Sequence, residues 1–143
     1  NDLTSRRVVA LYRQRFPRTK IFQTDTTTAE MVKYMANAFL ATKVIFGNEM
    51  YEICQALGIK YEEVKSMVVG DHRIFDSHLD VTTAKGFGGK CFPKDIVALI
   101  GRAKQLKVDT QLLETVWDIN KKIRKVKDWE EIPFAVTGNG KTS

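Results

Sequence analysis

The segment from Thr27 to Leu57 limits the possible folds more than any other part of the sequence, because it reads as one long helix. Thr27 and Glu30 have the spacing of a capping box, and Gly58 is a typical helix stop. A helix from Ala29 to Leu57 would be about 40 Å long. Apolar residues follow on two adjacent stripes, one with Met35, Phe39, Phe46, Met50, Ile53 and Leu57, the other with Met31, Tyr34, Ala38, Ala41 and Ile45. A helix with so wide an apolar surface is buried, either in its own core or against a partner subunit.

The other segments also favour helices. We expect a short basic helix over residues 1–16, a short strand at "KIFQTD" (20–25), a helix at 61–69, a helix with Pro93 as its first residue, and a last helix from Thr110 to about Lys127. Residues 71–85 lack periodicity and predict a loop. The predicted fold class is therefore mainly α, with one short strand near the N-terminus.

The composition excludes several classes of protein. The chain has 143 residues, 43% of them hydrophobic, which suits one domain or one domain with fragments of its neighbours. No apolar run approaches the ~20 residues that a membrane span needs, and the N-terminal segment does not resemble a signal peptide. With only Cys54 and Cys91, we expect reduced thiols and a cytoplasmic location. The net charge of +6 suits an anionic partner or simply a solvated surface.

The stretch "AKGFGGKCFPKD" (84–95) concentrates the residue types that form sites. A cysteine at a helix start is a candidate nucleophile, since the helix N-terminus stabilises a thiolate. Gly86, Gly88 and Gly89 would let a ligand lie against the backbone, and their N–H groups could meet an oxyanion. On spacing alone, Cys91 as nucleophile and Cys91 as a small apolar filler in a tight loop stay equally open.

Three polar residues have both a structural and a functional interpretation. Asp95 falls in the first turn of the predicted helix, where a carboxylate is favourable in the helix dipole, and it is also placed to orient or deprotonate a water near Cys91. Lys33 and Asn37 share one helix face by their i, i+4 spacing. They either protrude into solvent or form a polar patch on an otherwise apolar helix.

Other sequence features carry less weight. His72 and His78 lack the framework of a zinc site, so we expect no metal. The basic residues at 121–127 predict a solvated helix face rather than a nucleic-acid site, because neither interleaved aromatic residues nor a known module accompanies them. The tail "GNGKTS" lacks the spacing of a phosphate-binding loop.

Three motifs in order, "AEMVKYMANAFLATKVIFGNE", "DHRI" and "GFGGKCFPKD", resemble the nucleotide-sugar dehydrogenases, and the UDP-glucose 6-dehydrogenases most closely. The resemblance covers roughly residues 20–125. It implies a helical central domain like the C-terminal domain of 6-phosphogluconate dehydrogenase, built on one long buried helix. It also implies two NAD-dependent oxidations of a sugar C6 alcohol to the uronic acid. Dehydrogenases of GDP-mannose or of UDP-N-acetyl sugars share the cysteine motif, and a non-catalytic helical dimerisation module is a further alternative.

The resemblance assigns a role to each candidate residue. Cys91 would be the nucleophile that forms a thiohemiacetal and then a thioester. Lys33 would stabilise negative charge on the substrate oxygen, with Asn37 and a water beside it. Asp95 would help to activate the hydrolytic water. Lys94 would lie close to the cofactor. The substrate would be bordered by Gly86, Phe87, Gly88 and Gly89, with Arg73 reaching the substrate of the neighbouring subunit in a homodimer formed through the helix Ala29 to Leu57.

The resemblance also predicts the domain organisation. Residues 1–27 would be the end of a dinucleotide-binding domain, residues 28–127 the helical central domain, and residues 128–143 a linker or the start of a nucleotide-sugar domain. The 143 residues contain no G-x-G-x-x-G motif for the pyrophosphate of NAD. We therefore expect the isolated chain to be inactive. Lys90 stands beside Cys91, where the family commonly has a small residue.

Overall fold

The computed structural model describes residues 2–131, and every regular element in that range is helical. The elements are α1 (Asp2–Arg15), α2 (Thr26–Leu57), α3 (Tyr61–Val68), α4 (Cys91–Gln105), α5 (Gln111–Ile123) and a 3₁₀ helix (Asp128–Glu131). The prediction of a mainly α fold is confirmed. The expected strand at 20–25 is not found, because residues 20–25 are irregular and the described range offers no strand to pair with them. The tail "GNGKTS" and most of the predicted C-terminal linker lie outside the described residues.

The chain divides into two compact units, the first ending at Val32 and the second beginning at Lys33. The first unit contains α1, the irregular segment and the start of α2. Asp25 caps α2: its carboxylate accepts the Thr28 backbone N–H at 3.0 Å and the Thr28 hydroxyl at 2.6 Å. These hydrogen bonds, the hydroxyl bond first, lower the pKa of Asp25. The capping box expected from Thr27 is therefore wrong, because the helix starts one residue before Thr27 and Asp25 supplies the cap.

The second unit has one apolar core. Its buried members are Ala38, Ala41 and Ile45 of α2, Phe87 of the loop before α4, Ile96 and Ile100 of α4, Val116 and Trp117 of α5, and Trp129. Helix α4 packs against α5. The Trp117 ring lies 6.2 Å from Phe87 and 5.2 Å from Trp129 between ring centroids, so the aromatic residues tie the loop before α4 to the segment after α5.

Helix α2 buries only part of one of its two apolar stripes, since Met31 of that stripe is 49% exposed. Ala38, Ala41 and Ile45 are buried as predicted, whereas the other stripe lies largely open to solvent in a single chain. Five residues of that stripe, which we call the open stripe, are each at least 50% exposed: Met35, Phe39, Phe46, Ile53 and Leu57. None of the helices within residues 2–131 has the length and apolar character of a membrane span.

Gly47 lets α2 approach the loop of residues 71–84. A Cβ at this position would lie 3.0 Å from the Leu79 carbonyl oxygen and 3.1 Å from the Tyr61 hydroxyl, which donates to that same carbonyl at 2.7 Å. The Lys43 ammonium donates to the Phe75 carbonyl at 2.7 Å and holds the other end of the loop. The missing side chain at Gly47 therefore serves mainly a contact between a helix and a loop.

Candidate active site

Cys91 is the first residue of α4, and its side chain is exposed, whereas Cys54 is buried in α2. The helix begins two residues before the predicted start, so Pro93 lies inside the first turn. Proline is tolerated there because first-turn N–H groups have no partner within the helix. Lys90 precedes the helix and makes no side-chain capping bond. The thiol therefore belongs to the first residue of a helix, where the helix dipole favours a thiolate.

Asp95 lies one helical turn after Cys91 and is the centre of a polar cluster. Its side chain is only 1% exposed. The Asn37 amide donates to Asp95 Oδ2 at 2.5 Å, and the Lys33 ammonium lies 3.5 Å from the same oxygen. The Lys94 ammonium pairs with Asp95 Oδ1 at 2.8 Å. The structure thus brings together four of the residues that the sequence singled out.

The charges of this cluster favour an ionised carboxylate. Burial acts to raise the pKa of Asp95, but hydrogen bonds from Lys94 and Asn37 and the charges of Lys94 and Lys33 outweigh it, and the pKa lies below its usual value. The hydrogen bond to Asp95 raises the pKa of Lys94, with a smaller contribution of the same sign from Cys91. A carboxylate with a lowered pKa is a weak proton acceptor, so its geometry suits orientation better than proton removal.

Matching i, i+4 pairs explain why two helices can form one site. Lys33 and Asn37 share a face of α2, and Cys91 and Asp95 share a face of α4. Because Asp95 contacts both α2 residues, the thiol lies on the face of α4 that is turned toward them. The Lys33 side chain is 59% exposed. A partly solvated ammonium beside a helix-start thiol can stabilise negative charge on a bound oxygen.

The glycine-rich loop before α4 uses its N–H groups differently from the expectation. Gly86 N–H donates to Asn48 Oδ1 at 3.2 Å, Phe87 N–H to Asn120 Oδ1 at 2.7 Å, and Gly89 N–H to Asp128 Oδ2 at 2.7 Å. In this arrangement these three N–H groups are not available for an oxyanion. The expectation that the N–H groups of Gly86 and Gly89 meet substrate oxygen is therefore not supported by the structure.

Sequence reasoning missed the side chains that hold this loop. Asn48 lies within α2 and Asn120 near the end of α5, and both are buried, at 5% and 0% exposure. An amide on the apolar face of a helix must find a hydrogen-bond partner, because an unpaired buried polar group is costly. That rule was a usable signal, since Asn120 follows Val116 and Trp117 with helical spacing.

Arg73 does not join the Asp95 cluster. Its guanidinium pairs with Asp71 in the same loop, and this bond raises the pKa of Arg73 while it lowers the pKa of Asp71. Arg73 lines an apolar groove of about 630 Å³ together with Phe39, Phe46 and Phe75. In the part of the chain that the structure describes, no group of three or more His, Cys, Asp or Glu side chains is placed to hold a metal ion.

Comparison with known proteins adds independent information. Residues 27–122 match the model of the UDP-glucose/GDP-mannose dehydrogenase family, central domain. The chain is 44% identical over 100 residues to the UDP-glucose 6-dehydrogenase YwqF of Bacillus subtilis, which covers 70% of this chain and 22% of YwqF. It is 47% identical over 88 residues to a UDP-glucose 6-dehydrogenase of Pseudomonas aeruginosa, covering 62% of this chain and 19% of that protein. It is also 40% identical over 102 residues to one of Rickettsia prowazekii, covering 71% of this chain and 23% of that protein.

The chain spans less than a quarter of the length of these relatives. The matched region nevertheless contains the whole Asp95 cluster, Cys91 and the glycine-rich loop. On this evidence the chain belongs to the UDP-glucose/GDP-mannose dehydrogenase family and carries its central domain.

Proposed function

We propose that this chain is the central domain of an NAD-dependent UDP-glucose 6-dehydrogenase-like enzyme, with Cys91 as its nucleophile. The observation that carries the proposal is the convergence of Lys33, Asn37 and Lys94 on the buried Asp95, one turn beyond Cys91. A surface thiol in an unrelated loop would not need a buried, doubly paired carboxylate on its own helix face.

In the proposed reaction, the Cys91 thiolate adds to the carbonyl carbon of the C6 aldehyde that the first oxidation produces. The carbonyl oxygen becomes the oxygen of a thiohemiacetal, and the Lys33 ammonium stabilises the negative charge that develops on it. NAD, when bound, accepts a hydride in each of the two oxidations. Water then attacks the resulting thioester, which releases the uronic acid and regenerates the thiol. Asn37 and Asp95 orient this water, and the lowered pKa of Asp95 favours this role over permanent uptake of the proton.

The described residues do not by themselves fit the dinucleotide. They contain no strand, and the sequence has no G-x-G-x-x-G motif, so the strand-loop-helix unit that binds a pyrophosphate is not formed by residues 2–131. We propose that Lys94, 45% exposed beside Asp95, lies near the cofactor. We propose that NAD is held mainly by residues outside this range, and that the loop from Gly86 to Gly89 borders the sugar nucleotide.

We further propose a homodimer through α2. The open stripe is a continuous apolar face on a helix about 48 Å long, and such faces mark interaction sites. Arg73 lies in the groove beside Phe39 and Phe46 of that stripe. In a dimer formed by this face, Arg73 would be directed toward the second copy, which supports the role of contacting the neighbouring subunit's substrate.

The substrate alternative is GDP-mannose, since the family description includes both sugar nucleotides. The three relatives reported above are all named for UDP-glucose, which favours UDP-glucose. A UDP-N-acetyl sugar has no observation in its favour here.

A hybrid enzyme tests the proposal. Residues 27–122 of this chain replace the corresponding segment of YwqF, and NADH formation from UDP-glucose is measured beside Cys91→Ser and Cys54→Ala versions of the hybrid. Uronic acid is measured in the same samples, and we expect NADH and uronic acid from the hybrid and from its Cys54→Ala version, and loss of uronic acid formation in the Cys91→Ser version. A folded hybrid that forms a dimer without any turnover would favour the non-catalytic module. Turnover of GDP-mannose but not of UDP-glucose would favour the alternative substrate.

A further inference from the structure

Three side chains from the end of α5 and the segment after it bind the backbone of the loop that precedes Cys91. They are Asn120, Arg124 and Asp128, spaced four residues apart, and we call them the loop clamp. Asn120 is fully buried and pairs twice with one residue: its Oδ1 accepts Phe87 N–H at 2.7 Å, and its Nδ2 donates to the Phe87 carbonyl at 3.0 Å. Both polar groups of this backbone unit are therefore satisfied by a single amide.

Arg124 and Asp128 hold the two ends of the same loop. The Arg124 guanidinium donates to the Lys85 carbonyl at 3.1 Å and to the Val126 carbonyl at 2.9 Å, and it lies 3.5 Å from Asp128 Oδ2. That same Asp128 oxygen accepts Gly89 N–H at 2.7 Å. The Arg124 side chain is 14% exposed and the Asp128 side chain 35%, so this ion pair is partly shielded from solvent.

The clamp closes only because the loop lacks side chains where it touches the clamp. A Cβ on Gly86 would lie 2.4 Å from Asn120 Oδ1, and a Cβ on Gly88 would lie 2.1 Å from Arg124 Nη2 and 2.6 Å from Asp128 Oδ1. By contrast, a Cβ on Gly89 would meet no atom within 4 Å. Two of the three glycines are thus required by contact with the clamp itself.

We propose that the loop clamp residues are positioning residues, which fix the point at which the chain enters α4 and thereby fix the first turn around the Cys91 thiol. The importance of Cys91 in this inference rests on the proposed function. Lys90 provides no side-chain cap for α4, so the bond from Gly89 N–H to Asp128 is the anchor nearest to the thiol. When that anchor is lost, the first turn frays, and the N–H groups that stabilise a thiolate are no longer fixed.

The test uses the full 143-residue chain and two measurements, hydrogen exchange of the Gly89 amide and the rate of Cys91 alkylation by iodoacetamide. Asp128→Ala removes the acceptor, whereas Asp128→Asn keeps an acceptor oxygen and removes only the charge. We expect Asp128→Ala to expose the Gly89 amide to exchange and to slow Cys91 alkylation about two- to fivefold, the fold-change that a helix-terminus interaction corresponds to. Asp128→Asn should restore both values to near those of the unmodified chain.

Two further variants separate positioning from general stability. Asp118→Ala removes an exposed carboxylate that pairs with Lys121 on the same helix, and it should change neither measurement. Gly88→Ala displaces Arg124 from Asp128 and should therefore reproduce the effect of Asp128→Ala. If Asp128→Ala does not fold, Gly88→Ala is measured in its place.

The clamp inference is overturned if Cys91 alkylation is unchanged after the Gly89 amide loses protection, or if Asp128→Asn behaves like Asp128→Ala. It is also overturned if the Gly89 amide is already unprotected in the unmodified chain. Neither measurement needs substrate or NAD, so an inactive hybrid enzyme would refute the proposed function and leave the clamp results as they stand.

Discussion

Substitution of Gly86 by alanine perturbs the centre of the loop in two ways. Gly86 has φ +53°, in the left-handed region, and a Cβ there would lie 2.4 Å from Asn120 Oδ1. The left-handed backbone costs alanine about 1–2 kcal/mol. Displacing the Asn120 amide leaves the buried Phe87 N–H without its acceptor, at a cost of about 1–3 kcal/mol. The free energy of unfolding should therefore fall by about 2–5 kcal/mol, a large part of the about 5–15 kcal/mol typical of a domain.

Two other glycines provide matched controls for this substitution. Gly58 also has positive φ (+69°) but has no atom within 4 Å of its Cβ position, so Gly58→Ala isolates the backbone cost of about 1–2 kcal/mol. Gly101 lies exposed in α4 with equally open space, and alanine there should raise the free energy of unfolding by up to about 1 kcal/mol, because alanine is the better helix former. Each variant adds one methyl group. The free energy of unfolding should be highest for Gly101→Ala, lower for Gly58→Ala and lowest for Gly86→Ala.

Urea unfolding followed by tryptophan fluorescence provides the assay. Trp117 and Trp129 both lie in the core beside the loop, so the signal reports the part of the molecule that the substitution perturbs. The difference between Gly86→Ala and Gly58→Ala measures the contact with Asn120. If that difference is below about 0.5 kcal/mol, the Asn120 amide moves aside freely, and the reasoning that the loop is rigidly held is refuted.

Two further substitutions test the site and the dimer. Because hydrogen bonds and lysine charges keep the pKa of Asp95 below its ordinary value, the ionised carboxylate stabilises the fold above about pH 4, and this stability is lost as the pH falls through the lower, folded-state pKa. Asp95→Asn should therefore flatten the acid side of the stability curve, measured as urea midpoints from neutral pH down to about pH 3, and an unchanged slope would contradict this. Phe39→Glu, in the open stripe at 64% exposure, should shift the sedimentation of the chain from dimer to monomer and remove any dependence of its unfolding midpoint on protein concentration; a chain that is already monomeric without the substitution would contradict the proposed interface.

The parts of the molecule that depend on local sequence could be predicted. Helical periodicity indicated the mainly α fold, and the spacing of Lys33 and Asn37 placed them on one face of α2. The segment Cys-Phe-Pro-Lys-Asp (91–95) indicated the start of α4 to within two residues. In each of these cases the deciding interactions join residues within about one helical turn, which the sequence displays directly.

The loop clamp could not be predicted in the same way. Asn120 binds Phe87 across 33 positions, and Asp128 binds Gly89 across 39. From its sequence alone, the glycine-rich loop suggests N–H groups that are free to bind a ligand. Which side chains accept hydrogen bonds from these N–H groups depends on tertiary packing, including that of α5 against α4. The exposure of the open stripe could not be predicted from the sequence either. An apolar helix face has the same sequence periodicity whether it is covered by its own chain or by a second copy.

One residue of the site and one residue of the core are neighbours in the chain, and this limits how far the site can move. Asp95, at 1% exposure, is followed directly by Ile96, at 0%. The Asp95 side chain binds Lys33 and Asn37, and the Ile96 side chain packs into the apolar cluster that joins α2, α4 and α5. A shift of Asp95 away from α2 must also pull Ile96 from a closely packed core. The free-energy cost of lost core packing then adds to that of the lost polar contacts. The core therefore acts as the frame that keeps a lysine, an amide and a carboxylate in place beside an exposed thiol.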